Sequence, residues 1–357
     1  MTEVLRTDFD VQLFCQGGIG DLPMHPVAPH WMSQAIGRIP VMRRRRDWQG
    51  HLADAAFDRQ VARRLPICDL FHGATGQCLE SLRQARHRGT GTVLDVVTMH
   101  IDAFDAAAKT SCAEFGIRPP IGPAMVRRIR DEYASADLIR VMSTPARQTF
   151  LDRGFSADRV VVVPPLFDME EFPLSTYNED QFRVTFVGLI EPWKGFHHLV
   201  RAFRRLSDKD AELVLWGGTG SRPVAHFFHL QQAADPRISL RPVPIRQAGL
   251  AEVYGRSSVV VLPSLADGFG YVVGEAMACG IPVITTPQTG ASELVRDGLN
   301  GFVVPAQDVD ALTERLAFLA TNRALVRTMG LEARAAVAPL TREHARQAYV
   351  PPLKRLL

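Results

Sequence analysis

The chain lacks the features that mark several protein classes. Its five cysteines form no Cys-x-x-Cys pair and no zinc-type spacing with histidine, which disfavours a disulfide framework or a zinc finger. No run of about 18 apolar residues occurs, so we expect no helix that spans a membrane. The first thirty residues contain acids and polar breaks and give no indication of a signal peptide. Reduced thiols in a cytoplasmic protein are the simplest interpretation.

Lysine is also scarce, because almost all of the 41 cationic residues are arginines. A net charge of only +3 gives no general argument for binding nucleic acid. The densest positive run is Arg43–Arg46, which is either a solvated basic face or a peripheral contact with an anionic membrane surface or lipid-linked acceptor. The scarcity draws attention to one lysine in a glycine-bounded motif, Lys194. The lysines are Lys109, Lys194, Lys209 and Lys354.

Length and pattern together predict an α/β protein. At roughly 150 residues per domain, 357 residues correspond to two domains. Short β-branched runs such as Val184–Val187 and Ser258–Leu262 alternate with helical patterns, which indicates parallel sheets covered on both faces. The proline-rich run Pro164–Asn178 is the expected linker. We therefore predict domains at 1–172 and 173–340, followed by a C-terminal helix at 341–357 that packs back on the first domain.

The start of the chain is unusual for a parallel α/β domain. The strand-like run Val11–Cys15 is followed by Gly17–Gly20, as in a strand, glycine turn and helix. Three prolines then follow at positions 23, 26 and 29, and they would break that helix. Two interpretations stay open: an irregular first unit, or a chain that begins downstream of its true first strand.

The segment around Lys194 has the pattern of a phosphate site. A strand ends at Gly188 and a helix begins near Phe196, and a helix N-terminus after a glycine loop receives phosphate groups. The helix macrodipole disfavours a lysine at that end unless an anion is bound beside it. The alternative is a solvated loop lysine.

Two further segments end in glycine turns after predicted strands. Gly268 and Gly270 allow backbone N–H groups to approach a ligand closely, and Asp267 either contacts that ligand or caps the following helix. Glu275 lies in an otherwise small and apolar helix, where a carboxylate needs a partner such as the two hydroxyls of a ribose; the alternative is a surface glutamate. The turn at Thr289–Gly290 points to the same edge, because ligands bind at the carboxyl ends of parallel strands.

Together these segments resemble family 4 (group 1) glycosyltransferases of the GT-B fold, in which two Rossmann-like domains face a cleft. The match runs in order from about Val184 to Leu312 and includes Pro-Ser…Asp-Gly-Phe-Gly…Glu-Ala-Met-Ala-Cys-Gly at 263–280. The first half matches more weakly, at Asp69–Gly73 and Thr92–Asp102. The resemblance implies a retaining transfer of a sugar from a nucleotide-diphosphate sugar to a sugar or lipid-linked glycan, in polysaccharide or glycoconjugate synthesis.

The resemblance also implies roles for single residues. Lys194 would bind the donor diphosphate, Glu275 the ribose, and His100 would face the donor sugar, although a structural loop histidine is the alternative. The implied catalytic set is His100, Lys194 and Asp267, and the implied donor-binding set is Gly188, Lys194, Gly268, Phe269, Gly270, Glu275, Thr289 and Gly290.

Two positions depart from the family pattern, and neither suggests a metal. Asp267 stands where the family has glutamate, and Leu189 stands where it has a phosphate-binding arginine. No metal and no organic cofactor is expected, because the Asp-x-Asp at Asp308–Asp310 is explained by helix capping.

Three other functions are considered. A non-catalytic nucleotide-sugar-binding subunit of a polysaccharide assembly system is consistent with the missing arginine. A nicotinamide dehydrogenase would use the glycines of Trp216–Gly220, but the third glycine and the helix-opening context are missing. A GT-B phosphorylase would need a lysine for pyridoxal phosphate, and no candidate is evident.

Overall fold

The structure, a computed structural model, describes residues 2–15, 24–27, 46–175, 181–242 and 249–357. Its helices are α1 (Thr2–Leu5), α2 (Arg46–Arg64), α3 (Leu79–His87), α4 (Ile101–Ala113), α5 (Pro123–Ser135), α6 (Thr144–Leu151), α7 (Phe196–Phe203), α8 (Arg222–Ala234), α9 (Leu250–Gly255), α10 (Tyr271–Ala278), α11 (Val309–Thr321), α12 (Arg323–Val337) and α13 (Arg342–Lys354). Short 3-10 helices span Pro192–Lys194 and Gly290–Leu294.

The strands are short and form parallel ladders. They are β1 (Leu13–Cys15), β2 (Met24–Pro26), β3 (Leu70–Ala74), β4 (Gly91–Asp95), β5 (Leu138–Val141), β6 (Val160–Val162), β7 (Arg183–Val187), β8 (Glu212–Trp216), β9 (Ile238–Arg241), β10 (Val259–Leu262), β11 (Val283–Thr285) and β12 (Gly301–Val303). No helix among the described residues is long and apolar enough to cross a bilayer.

The first half of the chain forms a four-stranded parallel sheet in the order β3-β4-β5-β6. The strands β1 and β2 make a separate parallel pair, with Leu13 opposite Met24. Gly17–Gly20, Pro23 and Pro29 lie outside the described residues, so both interpretations of the chain start remain predictions.

The second half forms a six-stranded parallel sheet in the order β12-β11-β10-β7-β8-β9. The first strand of this unit, β7, lies in the middle: the chain winds outward through β8 and β9, then returns to add β10 on the other side. The crevice at such a reversal, beyond the carboxyl ends of β7 and β10, is where open α/β sheets bind ligands. Two parallel sheets, each built from alternating strands and helices, confirm the predicted α/β class.

The C-terminal helix α13 lies on the first sheet. Its Tyr349 and Leu353 pack with Val93 of β4 and Leu138 of β5 in one buried cluster. The guanidinium of Arg346 in α13 pairs with a carboxylate near α1, with 2.7 Å between its Nε and Asp8 Oδ2. The chain therefore closes back on the first unit, while the domain limits inferred from the sequence stay predictions.

Candidate functional site

Lys194 and Asp267 meet at the crevice between β7 and β10. Lys194 Nζ lies 2.5 Å from Asp267 Oδ2, and the two side chains are 22% and 13% exposed. Lys194 ends the 3-10 helix that follows β7, and Asp267 lies in the loop that follows β10. The lysine is therefore held in the crevice by an ion pair and is not a solvated loop lysine.

Gly195 brings these two loops together. Its φ of +72° suits glycine, and a Cβ at this position would lie 1.9 Å from the carbonyl oxygen of Pro263. A backbone bond from the Leu265 N–H to the Trp193 carbonyl, at 2.8 Å, fixes the same contact. Both contacts are between backbone atoms, so the fold places the two loops, and with them Lys194 and Asp267, side by side.

The second and third motif segments lie side by side. The Asp267 N–H donates to the Gln288 carbonyl at 3.0 Å, and the Gly290 N–H donates to the Asp267 carbonyl at 3.2 Å. The next helix, α10, begins after Gly270, whose φ is +82° and whose cap involves no side chain. Asp267 is therefore available to a ligand and does not act as the helix cap.

Several close contacts join this site to the first half of the chain. Ser143, which follows β5, donates from its hydroxyl to the Gly268 carbonyl at 2.6 Å. A Cβ on Gly268 would lie 2.4 Å from the Val97 carbonyl oxygen, and one on Gly290 would lie 2.3 Å from the Ser143 hydroxyl. We call Val97, Thr98, Ser143, Gly268 and Gly290 the interdomain seat, since it sets how the two units meet at the crevice.

Glu275 is half-buried and has a protein partner. The Tyr254 hydroxyl donates to Glu275 Oε2 at 2.6 Å, and burial raises the pKa of the Glu275 carboxyl. A carboxylate can accept several hydrogen bonds, so this pairing is compatible with a second partner such as a ribose diol. Tyr254 was missed by the sequence analysis because it lies upstream of β10, outside the glycine-rich segments.

Comparison with known proteins identifies the family. Residues 181–322, which contain Lys194, Tyr254, Asp267 and Glu275, match the family model "Glycosyl transferases group 1". The chain belongs to the group 1 glycosyltransferases. This assignment confirms the resemblance drawn from the three glycine-bounded segments.

Several curated relatives carry the name D-inositol 3-phosphate glycosyltransferase. The one from Kribbella flavida is 33% identical over 196 residues, which cover 50% of this chain and 46% of the relative. The one from Nocardia farcinica is 31% identical over 314 residues, covering 80% of this chain and 66% of the relative. The chain thus spans about half the length of the first relatives it matches.

Solved structures agree on the fold. Sucrose-phosphate synthase from Thermosynechococcus elongatus has a TM-score of 0.73 and 21% identity, and the match covers 99% of this chain and 91% of that one. Anabaena HepE, solved with UDP, has a TM-score of 0.67 and 18% identity over 94% and 86% of the two chains. These likenesses support the GT-B fold, with two Rossmann-like units facing a cleft.

His100 is buried at the beginning of α4, close along the chain to Val97 and Thr98 of the interdomain seat. It is 3% exposed, and its Nδ1 accepts the Asp102 N–H at 3.2 Å, which caps α4. Its ring packs on Tyr133 and Phe150, both at 4.9 Å between centroids, and burial lowers its pKa to about 4. These contacts give His100 a structural role at the start of α4, and its role at the donor sugar stays a prediction.

Phe269 places its ring in the core below the crevice. Its side chain is fully buried and packs toward Phe167, with ring centroids 6.1 Å apart. Its carbonyl accepts the Ala291 N–H at 2.6 Å, which ties it to the neighbouring loop. The ring therefore packs in the core, so the donor contact predicted at Phe269, which stays a prediction, would be made by its backbone.

The glycines after β7 and β8 have a structural explanation. A Cβ on Gly217 would lie 1.8 Å from the Gly188 carbonyl oxygen. Glycine at position 217, within the Trp216–Gly220 segment, is therefore required by the close approach of the chain after β8 to the chain after β7. Leu189, at the position of the family arginine, is 59% exposed. Asp308 accepts the Ala311 N–H at 2.9 Å, which confirms its predicted capping of α11.

A polar cluster on the first unit was missed by the sequence analysis. Arg140 on β5 donates to Asp95 Oδ1 on β4 at 2.7 Å, and His72 Nε2 on β3 lies 3.2 Å from the Tyr349 hydroxyl of α13. The hydroxyl of Tyr271, at the start of α10, lies 3.3 Å from the sulfur of Met142, next but one to Arg140. The sequence signal that could have found this cluster is one polar or charged residue within each of the strands β3, β4 and β5. A buried polar or charged group requires a partner, so these residues could have been expected to pair.

Proposed function

We propose that the protein transfers a sugar from a nucleotide-diphosphate sugar to an acceptor hydroxyl, with retention of the anomeric configuration. The observation that carries this proposal is the Lys194–Asp267 pair at the crevice of the second sheet. In the reaction, the bond from the anomeric carbon to the diphosphate breaks and a bond to the acceptor oxygen forms. The acceptor proton leaves with the nucleoside diphosphate.

Lys194 acts on the leaving group. Negative charge grows on the diphosphate as its bond to the sugar breaks, and a fixed cation with nearby backbone N–H groups stabilises that charge. With Leu189 in place of the family arginine, this neutralisation depends more heavily on Lys194. Asp267 holds the lysine in the crevice before the donor arrives and then binds the donor sugar; we assign it no nucleophilic attack.

The acceptor lies on the side of the first unit. In the polar cluster of His72, Asp95 and Arg140, the partly exposed side chains of His72 and Asp95 are the groups that would hydrogen-bond sugar or polyol hydroxyls. A sugar or lipid-linked glycan, in polysaccharide or glycoconjugate synthesis, remains the proposed acceptor. Peripheral membrane contact through Arg43–Arg46 also remains a proposal, since Arg43–Arg45 lie outside the described residues.

Donor binding tests the proposal directly. We expect one of UDP-, GDP- or ADP-glucose, at about 100 times its dissociation constant, to stabilise the protein by about 2.7 kcal/mol, a thermal shift of about 5 °C or more. Transfer should then be measured with that donor, with and without added Mg²⁺ or Mn²⁺, and we expect the rate not to depend on either ion. NAD serves as the negative control.

The outcomes of this screen separate the functions considered. Binding and turnover of a nucleotide sugar support the transferase. Tight binding without turnover against a panel of sugar, polyol and lipid-linked acceptors supports a non-catalytic binding subunit instead. A protein that no nucleotide sugar stabilises would contradict both.

The Tyr254–Glu275 hydrogen bond leads to a pH prediction. Ionised Glu275 is the form that accepts two ribose hydroxyls, and its pKa is raised by burial, so donor affinity should fall as the pH drops through that raised pKa. The Tyr254 hydrogen bond favours the ionised form, so Tyr254→Phe should move the midpoint to higher pH. Isothermal titration of the best nucleotide sugar across pH measures this shift.

A matched tyrosine and a conservative variant provide the controls. Tyr271→Phe removes a hydroxyl that contacts Met142 and not Glu275, so it should leave the midpoint unchanged. Glu275→Gln should weaken donor binding and remove the pH dependence. If Tyr254→Phe and the wild-type protein share one profile, Glu275 does not bind the donor as an ionised group.

A further inference from the structure

A pair of buried histidines without hydrogen-bond partners lies at the beginning of α7. His197 is fully buried and His198 is 5% exposed, and all four of their ring nitrogens lack a partner among the described residues. Buried polar groups are normally satisfied, because each unpaired one costs about 1–3 kcal/mol. Four such atoms on two adjacent side chains therefore call for an explanation.

A carboxylate from the other half of the chain lies beside this pair. Glu114, which ends α4, has Oε2 3.5 Å from His197 Nε2, although the geometry there does not make a hydrogen bond. One ligand atom from each of Glu114, His197 and His198 lies within 4.8 Å of the others. The Glu114 side chain is 35% exposed, so the group opens to solvent on one side.

We propose that Glu114, His197 and His198 bind a divalent transition-metal ion, with Zn²⁺ as the preferred ion and water as the fourth ligand. Zn²⁺ binds imidazole nitrogen and carboxylate oxygen at about 2.0–2.2 Å, so its ligand atoms stand about 3.3 Å apart in a tetrahedral site. The Glu114–His197 distance already meets this requirement. The histidine ring centroids are 3.9 Å apart with planes tilted by 44°, so the rings must turn and separate by about 1 Å for one nitrogen of each to face a shared ion.

The chemical state of the histidines suits a metal. Each ring is buried without a hydrogen-bond partner among the described residues, and burial disfavours the charged form of an imidazole. A neutral imidazole presents a lone pair without first releasing a proton. Phe115 and Phe196 pack against the His197 ring, each at 5.2 Å between centroids. These apolar neighbours offer its ring nitrogens no hydrogen bond, and none is found elsewhere among the described residues.

Two features disfavour a cation at this site, so the affinity for the ion depends on the Glu114 carboxylate. The site lies at the helix N-terminus, and the Arg201 guanidinium is 3.7 Å from Glu114 Oε2. The carboxylate of Glu114 must therefore offset both, while Arg201 competes for it. Loss of Glu114 should weaken the ion strongly, and loss of Arg201 should strengthen it.

The ion would join the two units of the protein. Glu114 comes from the end of α4 in the first half, and His197 comes from α7 in the second, three residues after Lys194. The helix α4 already meets the 3-10 helix that precedes α7, where Phe104 packs on Trp193 with ring centroids 5.9 Å apart. The ion's role is structural, since its ligands are distinct from the donor-binding residues.

Metal titration of the full chain, without an affinity tag, tests the site. Protein stripped with a chelator should bind one Zn²⁺, measured against a chromophoric competitor, and its melting temperature should rise by about 3 °C or more. Mg²⁺ should produce neither effect, because it prefers oxygen ligands. An X-ray anomalous signal at the zinc edge between α4 and α7 would place the ion.

Opposite changes in two variants distinguish this site from chance metal binding. Glu114→Gln should weaken Zn²⁺ binding at least about tenfold, whereas Arg201→Gln should tighten it. His226→Gln with His229→Gln, which removes exposed histidines of α8, should leave it unchanged. The His197→Asn variant is informative only if it folds, so the test depends on Glu114→Gln and Arg201→Gln. The proposal is overturned if stripped protein fails to bind Zn²⁺, or if only the α8 variant changes binding.

Discussion

Replacing Lys194 with alanine is expected to reduce sugar transfer by about 10²–10³-fold, which corresponds to about 2.7–4 kcal/mol of lost transition-state stabilisation. Lys194 is fixed beside Asp267 by contacts that belong to the backbone of two loops. Since Leu189 replaces the family arginine, no second cation is supplied from that position. Initial rates with the best donor from the thermal screen measure the effect.

The structure offers a matched control for this variant. Lys209 is an exposed lysine in the same unit, away from the crevice, and Lys209→Ala should keep wild-type rates. Lys194→Ala should also lose most of the thermal shift produced by the donor, because the lysine contacts the diphosphate before and during the reaction. A Lys194→Ala protein that is folded and retains more than a third of the wild-type rate would remove Lys194 from the catalytic role.

The strands and the glycine turns could be predicted because their signals are local. Apolar β-branched runs fixed β7 and β10, and parallel strands place their carboxyl ends at one edge. Lys194 and Asp267 each follow one of those strands, so both were expected at the same edge of the sheet, although their ion pair was not predicted. The two side chains lie 2.5 Å apart, between Nζ and Oδ2, and the strands that place them have local sequence signals.

The surroundings of several site side chains could not be predicted, because they depend on packing between distant segments. Phe269 lies in a glycine turn typical of a ligand loop, but Phe167 from the end of the first half encloses its ring. His100 is enclosed by Phe150 and Phe155, which follow it by about fifty residues. Tyr254 pairs with Glu275 for a similar reason. None of these contacts has a local sequence signal, so the family pattern alone could not decide them.

The second large effect concerns the interdomain seat. Gly268→Ala places a Cβ 2.4 Å from the Val97 carbonyl oxygen and 2.6 Å from Thr98 Cα. Both obstacles are backbone atoms of the other unit, so neither can rotate away, and relief requires the seat to open by about 1 Å. Misplacement of that size can cost about 100-fold in rate. We expect kcat for transfer to fall by about this factor.

The same variant should leave nucleotide binding largely intact. Lys194 and Glu275 both belong to the second unit, and their contacts with Asp267 and Tyr254 do not cross the seat. The dissociation constant of the matching nucleoside diphosphate should therefore stay within about threefold of wild type, measured by isothermal titration. Gly50→Ala, which introduces a methyl group with no atom within 4 Å, is the control that should change neither quantity.

Comparing the two variants separates the contributions of the two halves. Lys194→Ala removes charge from the donor side, so donor binding and turnover should fall together. Gly268→Ala changes how the first unit, with His72, Asp95 and Arg140, is presented to a bound donor, so turnover alone should fall. If Gly268→Ala weakens nucleotide binding as much as turnover, the seat shapes the donor pocket itself. An unchanged kcat would instead mean that transfer tolerates an opening of about 1 Å, and that a different contact aligns the acceptor.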